Sequence, residues 1–250
     1  MKNKYHNELK ILNYITSTDK YKAIFLLTVI LCLYGGFALG TSKNNFFDSI
    51  LVPLQFPIFN VFLFAIIFLN NINTCSIFKN NFPDYVIRLK SKKRYIKTLI
   101  RLSTTMFLFH FGLILLFLIM PLLLTTFNDL SIHAYQNYEI SNLVFLLFYI
   151  LRYAIYGTLI TIISTLIFIN TNSKITIVIN GLFLLLLFYF GGIIAYQTNV
   201  SLSIWSYFTI TLYSTFSLEV FSSVCTLLLL EIIIGILYIL TIKNRKLAIT

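Results

Sequence analysis

Six long apolar stretches run along the chain, at about 23–40, 51–70, 102–126, 143–170, 175–196 and 221–242, with polar or basic segments between them. A helix needs about 20 apolar residues to cross the hydrocarbon core, and its backbone polar groups must all be satisfied inside that core. The pattern predicts an all-α, polytopic membrane protein: six transmembrane helices in a single transmembrane domain over residues 1–250. The fourth stretch is long for one crossing, so it is tilted, kinked near Gly157, or projecting beyond the bilayer. The first ends Ala38-Leu39-Gly40, faintly like a signal-peptidase site. The polar region before it and the run itself are both too long for a signal peptide, so it is read as a retained span.

Two further segments are neither spans nor ordinary loops. Over residues 5–16, Tyr5, Leu9, Leu12 and Thr16 share one helical stripe flanked by Ile11 and Ile15, while Lys4, Glu8 and Lys10 lie elsewhere. This suits a helix lying in the membrane interface, the alternative being a loosely ordered basic tail. Gln197–Val220 carries Trp205, Tyr207, Phe208, Tyr213 and Phe216 among many Ser and Thr, with no charge before Glu219. Short helices dipping into the outer leaflet before span six fit that composition, and so does a plain loop.

Charge fixes the expected orientation. Of the 19 Lys and Arg, 17 fall before span one, between spans two and three, between spans four and five, or after span six. The other side holds only Lys43, beside Asp48, Asp129 and Glu139, and Arg152 sits within a span. The positive-inside rule makes the basic side, with both termini, cytoplasmic. A net charge of +11 would suggest nucleic acid in a soluble protein, but here membrane topology accounts for it and no nucleic-acid partner is expected. With 58% hydrophobic and 11% charged residues, the chain cannot build a water-facing surface of ordinary composition.

Catalytic signatures are absent from the sequence. No Gly precedes a Lys, which excludes a Walker A phosphate loop, and His6, His110 and His133 belong to no H-E-x-x-H. Neither paired acids nor a Ser/His/Lys set stands at membrane depth. Cys32, Cys75 and Cys225 are widely spaced, Cys75 in an expected cytoplasmic segment, and point to free thiols with no metal site. The intramembrane polar residues are Arg152, Glu231, His110 and Glu219. Arg152 and Glu231 each lie midway along a span, where a lone charge costs about 2.5–3.5 kcal/mol on insertion scales. They are expected to bridge spans four and six or to line a translocation path, the remaining alternative being that they never meet. Glu219 falls at the outer interface, and His110 suits an interhelical hydrogen bond.

The segment between spans two and three is the most informative. Pro83 and Asp84 suit a helix start, Tyr85, Arg88 and Leu89 share a face, and Ser91 suits the cap of a second helix from Lys92 into span three. A basic anchor for anionic lipid is the other reading of the same residues.

A basic amphipathic N-terminal helix, six spans, a cytoplasmic elbow and outer-leaflet helices before span six together resemble the permease subunit of a type-2 ABC exporter, of the small bacterial kind. The segment Tyr85–Tyr95, with Arg88-x-x-Ser91-Lys92-x-x-Tyr95, is similar to the coupling-helix region of those permeases. The topology covers nearly the whole chain, the motif only this stretch. The resemblance implies that two permease chains pair, identical or related, in a bacterial cell membrane. Each coupling helix would sit in a cleft of a separate ABC ATPase subunit that binds the ATP, so this chain would hold no cofactor and catalyse nothing. Asp84, Tyr85, Arg88, Leu89 and Ser91 become the candidate ATPase contacts. The cargo would be an amphipathic peptide, a lipid-linked molecule or a hydrophobic drug. A non-transporting assembly or immunity factor shares the same features. A secondary transporter or channel would be expected to show inverted repeats or paired broken helices, and none is seen.

Overall fold

The computed structural model describes residues 2–40, 50, 57–82, 91–120, 140–186 and 216–243, and every regular element among them is helical. They are α1 (Lys2–Ser17), α2 (Asp19–Tyr34, widening into a π-helical Gly35–Gly40), α3 (Pro57–Asn81), α4 (Lys92–Ile119), α5 (Asn142–Asn170), α6 (Ser173–Leu186) and α7 (Phe216–Lys243). Five stretches among the described residues are long and apolar enough to cross a membrane: Asp19–Ala38, Val61–Asn81, Lys92–Ile119, Leu143–Asn170 and Ser223–Lys243. This is the architecture of a polytopic helical membrane protein. The apolar α6 is shorter over its described length. The remainder of the expected fifth span, the elbow at 83–90 and the segment 197–215 lie outside the described residues.

Local chemistry sets the boundaries. Thr18 separates α1 from α2 and caps α2, its hydroxyl accepting from the Tyr21 amide at 3.4 Å, with Asp19 in the first turn where the helix dipole favours an acid. Ser141 caps α5 by accepting from the Val144 amide. Asn172 Oδ1 accepts from the Ile175 amide at 2.9 Å and opens α6 straight after α5, so these two helices turn back on each other.

The buried side chains form two clusters stacked along the bundle. One joins Cys32 near the end of α2, Phe64 and Phe68 early in α3, Phe111 and Ile114 late in α4, and Tyr149 and Tyr153 early in α5. The other joins Tyr21, Cys75 and Phe78, Tyr95 and Leu99, and Leu166 and Ile169, which are the opposite ends of the same helices. Successive helices α2 to α5 therefore run antiparallel. In α7, Leu227 packs on the first cluster and Tyr238 on the second, so its end returns beside the end of α5.

The described helices extend the picture drawn from hydropathy. The helix of the second apolar run, expected at 51–70, continues to Asn81, and residues 51–56 lie outside the described residues. Asn70, Asn71, Asn73 and Thr74 interrupt the hydropathy of that run, yet all four are buried inside the bundle. Cys75 lies buried in the core. α4 starts at Lys92, where the helix leading into span three was expected to begin, and runs unbroken to Ile119. α5 is one uninterrupted helix through Gly157. A Cβ on Gly157 would collide with the Phe107 ring, so this glycine admits the close approach of α4 rather than a kink. The last five residues of the Gln197–Val220 segment are the opening of α7.

Candidate functional site: a basic end and a polar interior

α1 lies against the end of the bundle that carries Lys20, Lys22, Lys79, Lys92 and Lys243, touching α2, α3 and α4. The stripe expected to lie in the interface, with Leu9, is not the face it turns to the bundle. Ile11 and Ile15 are buried together with Glu8, while Leu9 is 57% exposed. The cause is electrostatic: the Glu8 carboxylate forms an ion pair with Arg101 of α4, which rotates the helix so that an acid faces inward. A buried carboxylate without a cation would be strongly unfavourable, so this pair fixes the face.

Both flanks of the elbow are held at this end. The Asn81 amide donates to the Tyr14 hydroxyl at 2.7 Å, and the Phe82 ring meets Tyr14 edge-on at 5.4 Å. Phe78 stacks on Tyr95 at 5.9 Å, closing α3 against the start of α4. Lys92 Nζ donates to the Ile242 carbonyl at 2.9 Å, tying the same point to the end of α7. Ser91 occupies the N-cap position with extended backbone, but its side chain makes no capping hydrogen bond. Of the residues expected to contact an ATPase, Asp84, Tyr85, Arg88 and Leu89 lie outside the described residues.

At the other end, Arg152 is 5% exposed and donates to Ser223 Oγ at 3.3 Å, its guanidinium over the Tyr149 ring at 5.0 Å and the Phe148 ring at 5.7 Å. Tyr156 OH donates to the Ser223 carbonyl at 3.1 Å. Ser223 precedes Glu231 by more than two helical turns, about 12 Å of rise. The expected Arg152–Glu231 bridge is thus replaced by an Arg152–Ser223 contact. Spans four and six are linked through Arg152 as expected, but at the opening of α7 rather than its middle. Glu231 is exposed on the α7 surface. Glu219 stands one turn before Ser223 on α7.

His110 is buried and its Nε2 lies 2.7 Å from Thr28 Oγ1, a link between α4 and α2 of the kind expected for it. Around it runs a polar layer, of which hydropathy alone places Asn71 and Cys75 outside the spans. Asn71 is its hub, donating to the Thr161 carbonyl at 3.4 Å and accepting from Thr165 Oγ1 at 3.2 Å. Cys75 Sγ stands 3.5 Å from Ser103 Oγ, and Asn180 Nδ2 donates to Ser164 Oγ at 2.9 Å. The available signal was spacing: Asn71, Thr74, Cys75 and Phe78 recur at helical intervals and continue the buried face of α3. A cavity of about 10 Å³ lies between Asn70, Asn71, Ser103, His110 and Thr161, about the volume of one water. Such a layer binds helices together through hydrogen bonds. Among the described residues no cluster of His, Cys, Asp and Glu could hold a metal ion.

No family model, curated protein or solved structure matches the chain.

Proposed function

We propose that this chain is the membrane-spanning permease subunit of an ATP-driven exporter, working with a separate ATPase and a second permease chain. The observation that carries the reading is the clamp at the basic end. Tyr14, Asn81, Phe82 and Lys92 hold both flanks of the 83–90 segment between α1 and the end of α7. A segment with a Pro-Asp start and a Tyr85/Arg88/Leu89 face, anchored at both flanks, suits docking into a protein cleft. A lipid anchor needs only the basic residues, whereas a protein contact also draws on aromatic and aliphatic side chains. The ATPase would press on a junction tied to α1, α3, α4 and α7 together, which suits transmission of a push into the bundle.

The second chain is supported by α7. Only 17% of its apolar stretch is buried, against 67% for α3, and Glu231 sits exposed at mid-length. An ionised carboxylate facing lipid at that depth is costly, so a second protein chain is the favourable neighbour. The cargo is an amphipathic or hydrophobic molecule, moved outward. The channel alternative has less support, since neither inverted repeats nor paired broken helices are seen in the sequence.

The test is purification of the tagged chain in mild detergent. A nucleotide-hydrolysing subunit is expected to accompany it. Replacing Tyr85 and Leu89 with Ala, all charges kept, is expected to release that subunit while membrane insertion stays normal. Retention of the subunit with full hydrolysis by the double variant would overturn the coupling role.

A further inference from the structure

Between α1, α2 and α4 the surface opens into a groove of about 590 Å³, within the range of small-molecule sites. Its walls are Leu9 and Leu12 of α1, Phe25 of α2, and Phe109 and Leu113 of α4, and its polar groups include Tyr21 and Lys22. We propose that this groove binds one anionic phospholipid, its phosphate at Lys22 and an acyl chain along Phe25, Phe109 and Leu113. The site requires only that the bundle sits in a membrane, so it stands or falls apart from the exporter reading.

The polarity of the groove sets the direction of the ligand. Thr105, Phe109 and Leu113 follow one another at four-residue intervals down a single face of α4, covering about 12 Å from the basic end toward the bundle centre. Charge is found at one end of that track and apolar side chains at the other, which matches a headgroup and its chain. Lys22 is 66% exposed and its partner Asp19 is fully exposed at 3.3 Å. An exposed pair of that kind is weak and screened, so a phosphate competes with it readily. Lys20, exposed beside it, adds to the positive field that anionic headgroups seek.

Tyr21 supplies the second observation. It lines the groove at 5% exposure, and its hydroxyl is buried with no hydrogen-bond partner among the described residues. A buried hydroxyl left unpaired is unfavourable. The oxygen is shielded in this conformation, so a phosphate or ester oxygen in the groove takes up that donor by drawing the side chain outward, which a purely apolar occupant cannot do.

The experiment is native mass spectrometry of the full chain after exchange into phosphatidylcholine, with or without phosphatidylglycerol. One phosphatidylglycerol is expected to stay bound through delipidation, while phosphatidylcholine is stripped. Tyr21→Phe and Lys22→Gln are each expected to lower its retention about five- to tenfold, the loss of one charge-assisted contact. Thr105→Trp, at an exposed position, fills the groove and is expected to abolish retention. Equal retention of both lipids would overturn the proposal. So would retention unchanged in Thr105→Trp, which would mean bulk surrounding lipid only, or binding of inorganic phosphate as strong as the lipid.

Discussion

Single residues in this bundle act through close contact rather than through bulk hydropathy. Gly157 and Gly112 lie on facing helices, but an added Cβ meets the Phe107 ring at Gly157 and nothing within 4 Å at Gly112. Phe107 is itself buried and stacked on Phe111 at 5.8 Å, so it cannot retreat freely. Gly157→Ala is expected to destabilise by about 1–3 kcal/mol, the usual cost of overpacking, while Gly112→Ala is neutral or mildly stabilising. Thermal melting in detergent compares the two, and equal melting points would remove the packing role. Arg152 gives a second contrast. Arg152→Gln and Ser223→Ala are expected to couple in a double-mutant cycle by about 0.5–1.5 kcal/mol, and Arg152→Gln with Glu231→Gln to add within about 0.5 kcal/mol. A strong Arg152–Glu231 coupling would contradict the contacts described. That Arg152 needed an interhelical partner was legible in the sequence. Which residue met it depended on the register between α5 and α7, and no local pattern encodes that.

At the scale of elements, the helices were legible wherever hydropathy and burial agree. α5 and α7 fall within a few residues of the apolar runs at 143–170 and 221–242. The second half of α3 was not legible because its polar residues are buried inside the bundle, Asn71 through hydrogen bonds to α5. Asn71 and Thr74 read as loop residues until α5 supplies their neighbours. α1 was legible as a helix, but the face it turns to the bundle was not, since the inward position of Glu8 depends on Arg101, far away in sequence. That ion pair makes a prediction of its own. Arg101→Gln leaves the Glu8 carboxylate buried without its cation, and α1 is expected to detach, with faster amide exchange across Ile11 and Ile15. Glu8→Gln with Arg101→Gln should restore part of the protection. If exchange in α1 is unchanged in the single variant, the pair does not hold the helix.

On the scale of the whole molecule, antiparallel packing gathers the basic residues that the sequence scattered over 250 positions. α1, the ends of α3, α5 and α7, and the starts of α2 and α4 all meet at one end, and Arg152 alone among the described cations lies at the other. The proposed docking of an ATPase requires that this end be cytoplasmic, and the uneven charge predicts it. Single cysteines in a variant lacking Cys32, Cys75 and Cys225 read that sidedness directly. With an impermeant thiol reagent outside intact cells, cysteines placed at Asn45 and Asn137 are expected to react, and those placed at Ser91 and Asn244 only after lysis. Labelling at Ser91 from outside would put the basic end on the wrong face of the membrane and contradict both the orientation and the coupling role built on it.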